Sequence, residues 1–185
     1  MTPTRSLRIL AACLLALAAT ACSATYAEDD PSRILSVSTP GVMLHSGQTV
    51  ALMAGSGIDV DSADARSVSD MLETALWTEL ARRGLRRVGE GAANDLWFGW
   101  LAAETAALDP REIVERFGIY EAGDEWSEHL PTGTVLVLLV DGRTRAPLWR
   151  ASTQLEIRDQ LPEDERRARI ERHVSQLFAS CPTPR

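Results

Sequence analysis

The chain has 185 residues, 45% of them hydrophobic and 24% charged, and carries a formal net charge of −7. That length supports one domain with its own core, and the acidic balance argues against nucleic acid and against electrostatic docking to anionic lipid. All 19 basic residues are Arg, which excludes Schiff-base and lysine general-base chemistry.

Arg5 and Arg8 precede an apolar run from Ile9 to Ala19, with small residues at Ala19 and Ala21. This is the basic, apolar and small-residue order of a secretory signal. The run is too short to cross a hydrocarbon core of ~30 Å, which needs ~20 apolar residues. Ala19-Thr20-Ala21-Cys22 resembles the lipobox of bacterial lipoproteins, departing from it at Ala19, where Leu is commoner. The resemblance implies cleavage after Ala21 and a thioether-linked diacylglycerol on Cys22. One chain alone binds a bilayer marginally, whereas two or three hold it lastingly. An ordinary signal peptide cleaved after Ala21 or Ala27 is the alternative, and would leave a soluble periplasmic protein. Ser23 stands where an Asp resembles an inner-membrane retention signal, so the analogy favours the periplasmic face of the outer membrane. Losing Arg5 and Arg8 takes the net charge from −7 to −9, leaving membrane attachment to the lipid. Cys13 leaves with the signal and Cys22 is acylated, so Cys181 has no intramolecular partner. It reads as a buried apolar residue, with intermolecular pairing as the sharper alternative.

Residues 23–32 are polar and read as a tether. Arg33–Ser38 and Thr49–Ala54 are predicted strands, separated by a Pro40-Gly41 turn. Asp59–Gly84 is a predicted helix capped by Asp61 or Ser62. Its apolar stripe is Val68, Met71, Leu72, Ala75, Leu76 and Leu80, and Gly84 supplies the left-handed end. Trp77 falls far from that stripe, under a loop or in solvent. Asp95–Ala103 is a nearly continuous apolar run suited to a strand covered on both faces. Glu104–Gly133 is an acidic, irregular excursion. Thr134–Val140, the turn Asp141–Arg145 and Leu148–Leu155 then form a hairpin, with Trp149, Ala151, Thr153 and Leu155 on one face. A last helix opens at Pro162 and shows the stripe Ile170, Val174, Leu177, Phe178 and Cys181 before Pro182.

Three segments together resemble the bacterial lipoprotein family of the domain of unknown function 4136. They are Leu80-Ala81-Arg82-Arg83-Gly84 closing the first helix, Ala93-Asn94-Asp95-Leu96 entering a strand, and Gly133-Thr134 through Asp141 leading to Leu148-Trp149-Arg150. The resemblance implies an envelope lipoprotein with an α+β domain, and it brings no agreed activity and no catalytic residues.

Other chemistry reads weakly. Asp59, Asp61 and Asp64 suggest a calcium loop, but Ala63 holds a ligand position, Asp64 the required Gly and Asp70 the required Glu. Gly55-Ser56-Gly57 lacks the third glycine of a dinucleotide fingerprint, because position 60 is Val, and reads as a loop. His45, His129 and His173 have no second ligand at metal spacing, and surface or capping roles are expected. No Gly-x-Ser-x-Gly elbow is present. Trp97, Trp100 and Trp149 are expected in the core. Tyr120, Glu125, Trp126 and Glu128 are the candidate contacts for a basic protein partner.

The expected organisation is a signal peptide over residues 1–21, a tether over 22–32 and a single domain over 33–185. The domain is α+β, a mixed or antiparallel sheet of four to six strands with two long amphipathic helices packed on it. The expected role is a non-enzymatic binding or assembly module in the cell envelope, held by lipid on Cys22, with no cofactor, no metal and no nucleic acid. A carrier of a small apolar ligand or lipid, or a periplasmic hydrolase, are the alternatives.

Overall fold

A computed structural model of the protein describes residues 34–58, 63–103, 133–154 and 161–185, apart from the side chains of 63 and 64. Its elements are β1 (Leu35–Ser38), β2 (Thr49–Leu52), β3 (Gly57–Ile58), α1 (Ala63–Arg82), β4 (Arg86–Arg87), β5 (Leu96–Ala102), β6 (Thr134–Asp141), β7 (Pro147–Gln154) and α2 (Glu163–Phe178). The described strands form one mixed sheet ordered β1-β7-β6-β5-β2-β4, with β3 continuing along β5 beyond β2.

The β6 strand sets this arrangement. Every residue from Thr134 to Val140 is buried, so the strand needs neighbours on both edges and cover on both faces. Antiparallel β5 and β7 satisfy its backbone. β2 and β5 run parallel, a pairing that requires a crossover, and α1 lies in it.

Both helices lie on one face of the sheet. The α1 stripe of Val68, Met71, Leu72, Ala75, Leu76 and Leu80 joins Ile170, Val174, Leu177 and Phe178 of α2 in one core with Phe98, Trp100, Val137, Leu139 and Trp149. Phe178 is the joint, its ring centroid 5.0 Å from Trp149 and 6.4 Å from Phe98. Arg83 locks the end of α2, donating to the carbonyls of Phe178 and Cys181. α1 closes as expected. Gly84 takes φ +74°, Leu85 N–H donates to Leu80 and Gly84 N–H to Ala81, the paired bonds of a Schellman end.

The hairpin turn is held by Asp141, whose Oδ1 accepts from the N–H of Arg143 and Thr144 and from Thr144 Oγ1. Gly142 is needed for close approach. Its N–H donates to Asp95 at 2.7 Å, and a Cβ there would lie 2.5 Å from the Asn94 carbonyl oxygen.

Several expectations change. The α+β class and the mixed sheet with two packed helices stand as expected, while among the described residues the sheet counts seven strands rather than four to six, because β3 and β4 have two residues each and leave no alternation to read. Gly57 belongs to β3 rather than to a loop. Pro162 is the N-cap of α2, not a residue of its first turn. His173 is buried, at 5% exposure, because it lies three residues after Ile170 and four before Leu177 on the packed face. Trp77 is half-buried, edge-on to Phe98 at 5.7 Å and beneath the Arg87 guanidinium at 4.5 Å. The proposed caps Asp61 and Ser62, Leu155 and the excursion lie outside the described residues.

Leu138 is 2% exposed at the centre of β6. Leu138→Asp should abolish cooperative unfolding, since an unpaired buried charge is prohibitive, and a wild-type denaturation midpoint would refute the central placement of β6. The bonds from Thr49 to Asp95 and from Thr144 to Asp141 hold both carboxyls below the usual carboxylate range. Stability from these groups is present above the unfolded value of about 3.9 and is lost as pH falls through the lowered folded values. The urea-midpoint gap between wild type and Asp141→Asn should therefore close below about pH 4, and a constant gap from pH 7 to 3 would contradict it.

Candidate functional site

Cys22, Tyr120, Glu125, Trp126 and Glu128, the residues singled out by sequence, lie outside the described residues. The sites below are built from the rest of the domain.

The outer side of α1 carries an open groove of about 520 Å³ lined by Asp70, Glu73, Thr74, Trp77, Thr78, Ala81 and Arg87. Three of its polar groups, Glu73, Trp77 and Arg87, are already engaged with one another. Glu73 accepts from Trp77 Nε1 at 3.2 Å and pairs with Arg87 at 2.9 Å, while Arg87 covers the indole face. Trp97, expected in the core, is instead half-buried beneath Arg145 at 4.5 Å. Trp100 and Trp149 are core residues, as expected, at 1% exposure.

Cys181 is buried. Burial pushes its thiol up to about 12, with Arg83 opposing the rise, so the group stays protonated and is a poor nucleophile. Among the described residues no cluster of three or more His, Cys, Asp or Glu is placed to hold a metal ion.

The feature that stands apart is the β1 edge. Leu35 is 63% exposed, Val37 43% and Met43 57%, and all four residues of β1 are exposed. Register explains which face they share. Leu35 pairs with Ser152 and Val37 with Arg150. Those residues pair with Leu136 and Leu138 of β6, which in turn pair with Leu101 and Gly99 of β5. Directly opposed residues point to the same side of a sheet, so Leu35 and Val37 continue the rows on the face away from the helices. The rows are buried at Leu101, Leu136 and Leu138 and reach solvent at β1. Sequence alternation marked β1 as a strand but gave no sign that its apolar side is the open one.

Residues 36–183 match the DUF4136 family, described as a domain of unknown function, and the chain belongs to that family. Two solved structures share the fold. One is a DUF4136 family protein from Bacteroides thetaiotaomicron, 14% identical, with a TM-score of 0.54 over 82% of this chain and 96% of that one. The other is PelC from Paraburkholderia phytofirmans, solved as a dodecamer, 14% identical, with a TM-score of 0.52 over 83% of this chain and 99% of that one. No curated protein matches the sequence.

The buried thiol is directly testable. In a chain carrying Cys13→Ala and Cys22→Ala, Cys181 should resist a thiol reagent at pH 8 until the protein is denatured, and labelling of the native protein at the rate of a free thiol would show that the α2 end is open.

Proposed function

We propose that this DUF4136 protein is a lipid-anchored lipoprotein of the cell envelope, held through acyl chains on Cys22, and that its domain is a non-enzymatic binding and assembly module. The observation that carries the reading is the short apolar run from Ile9 to Ala19 ending on Ala19-Thr20-Ala21-Cys22. A segment of that length suits a secretory signal, and Cys22 is the residue that processing would leave first. Ser23 supports delivery to the periplasmic face of the outer membrane, by the analogy drawn above.

Assembly is supported by two further points. Apolar side chains reach solvent at Leu35 and Val37, beyond Ser152 and Arg150 of β7, as they do at interaction surfaces. A protein of the same fold, PelC, is recorded as a dodecamer, and we carry self-association over to this chain. Tyr120, Glu125, Trp126 and Glu128 we assign to a second contact, with a basic envelope protein, because carboxylates interleaved with aromatics suit such a surface.

Labelled palmitate should enter the wild type and not Cys22→Ala, and the variant should leave the membrane fraction. Unchanged membrane association of Cys22→Ala would overturn the anchor, because a chain of net charge −7 has little attraction for an anionic bilayer. Replacing residues 106–130 by a Gly-Ser linker should leave anchoring intact and remove the basic partner from crosslinked complexes. Recovery of the same partner with that variant would move the contact elsewhere.

A further inference from the structure

We infer that β1 is a self-pairing edge, at which a second copy of this chain adds its own β1 antiparallel about a two-fold axis through Val37. The inference rests on the lipid-anchored assembly reading and names one of its surfaces, which by itself closes a pair of copies.

Backbone geometry comes first. Thr39 N–H donates to the Leu148 carbonyl, and the same register pairs Val37 with Arg150 and Leu35 with Ser152. Antiparallel pairs alternate between residues that bond to the partner and residues that do not. Leu35, Val37 and Thr39 therefore spend their backbone groups on β7, and Ser36 and Ser38 turn their N–H and C=O outward. Among the described residues no strand lies outside β1. Pairing about Val37 sets Ser36 opposite Ser38 of the second copy and Ser38 opposite Ser36, which matches donors to acceptors on both sides. It also sets Val37 against its own copy, and opposed side chains share a face. The two exposed apolar rows then become one.

Charge selects the partner. Copies of an acidic chain repel, so they meet best away from their carboxylates; residues 34–44 contain no ionisable side chain, and the charge set opposite Val37 across the register is the basic Arg150. Natural edges are blunted by charge, proline or bulges, and β1 has none within its four residues. The opposite edge, β4, is two residues long and both are arginines, and charge blunts an edge. Arg86 donates to the Gly47 carbonyl, and Arg87 is held between Glu73 and Trp77. That asymmetry disfavours head-to-tail β1–β4 pairing and leaves the isologous contact.

The tether sets where the contact forms. Leu35 follows Cys22 by 13 residues, a reach of at most about 45 Å. Copies anchored in one leaflet present β1 within the same layer above it. A two-fold axis perpendicular to the sheet keeps both pairs of helices on one side. Four residues per copy bury far less than the about 1,200 Å² of a stable interface, so pairing depends on confinement to the membrane, which raises effective concentration.

The test is disulfide trapping of the full chain in isolated envelope membranes. Val37→Cys places two thiols in a non-hydrogen-bonded pair about 4.5 Å apart between Cα atoms, within disulfide range. Mild oxidation should give several-fold more dimer than Thr74→Cys, an exposed position on α1 that reports random collision. Adding Ser36→Pro removes one outward N–H and leaves the bonds to β7 intact. It should abolish that excess without moving the melting temperature. Equal trapping at Val37 and Thr74 overturns the proposal, and so does excess trapping that survives Ser36→Pro. The anchor fails separately. A chain that takes up no palmitate yet traps at Val37 when concentrated loses the anchor and keeps the edge. One that takes up palmitate and does not trap at Val37 keeps the anchor and loses the edge.

Discussion

Burial of β6 on both faces and both edges is the constraint on which the domain depends. Seven consecutive buried residues, Thr134 to Val140, leave no solvated side for their backbone groups, and each must find a partner within the sheet. β5 fills that need in continuous register, and β7 does so with one register shift between Leu139 and Val140. Once β5 is fixed antiparallel to β6, β2 beside it is parallel and the chain must cross over through α1. The Asp141 turn and Gly142, wedged against the carbonyls of Asn94 and Asp95, fix where the hairpin reverses. The core between sheet and helices then follows from side chains already aimed at it.

Much of this was legible because the periods are strong. The α1 stripe and the apolar run of β6 read directly, since a 3.6-residue and a continuous pattern have few competing interpretations. What was missed depends on neighbours distant in sequence. Trp77 is covered by Arg87, a contact made only after the chain has passed Gly84 and entered β4. β3 and β4 exist only because β5 and β2 hold them. His173 was read for its chemistry when its spacing from Ile170 and Leu177 already placed it on the packed face. The open apolar side of β1 was illegible for a similar reason. Leu35-Ser36-Val37-Ser38 alternates as any half-buried strand does, and only the register from β1 to β5 shows that its apolar side extends rows buried further in. Of the candidate site residues, the sequence offers Cys22 through its place after the apolar run, and Tyr120, Glu125, Trp126 and Glu128 through composition alone.

The two edges of the sheet are treated differently, and the difference is chemical. At β4 the backbone edge is short and both residues are arginines. One is tied back to Gly47 and the other clamped on Trp77 and Glu73. An edge that short and that charged is a poor template for a second strand. At β1 the edge is neutral, and Thr39 extends the ladder to β7 up to the Pro40-Gly41 turn. The turn then removes the chain from the edge rather than folding it over the outer side of β1.

Under the proposed function, a weak edge and a lipid anchor are complementary devices. A strand of four residues could not hold two molecules together in dilute solution, where association must offset lost translational and rotational freedom. Molecules confined to one leaflet have already surrendered much of that freedom, so a contact of the same chemistry becomes effective there and nowhere else. A long, apolar, unprotected edge would instead pair before export and aggregate. On the same proposal, a short β1, with serines facing the helix side and two apolar residues facing the other, limits pairing to the place where concentration is high. In this reading the leader sequence and the sheet edge belong to one mechanism. The first determines the surface on which the molecules gather, and the second makes gathering sufficient for assembly.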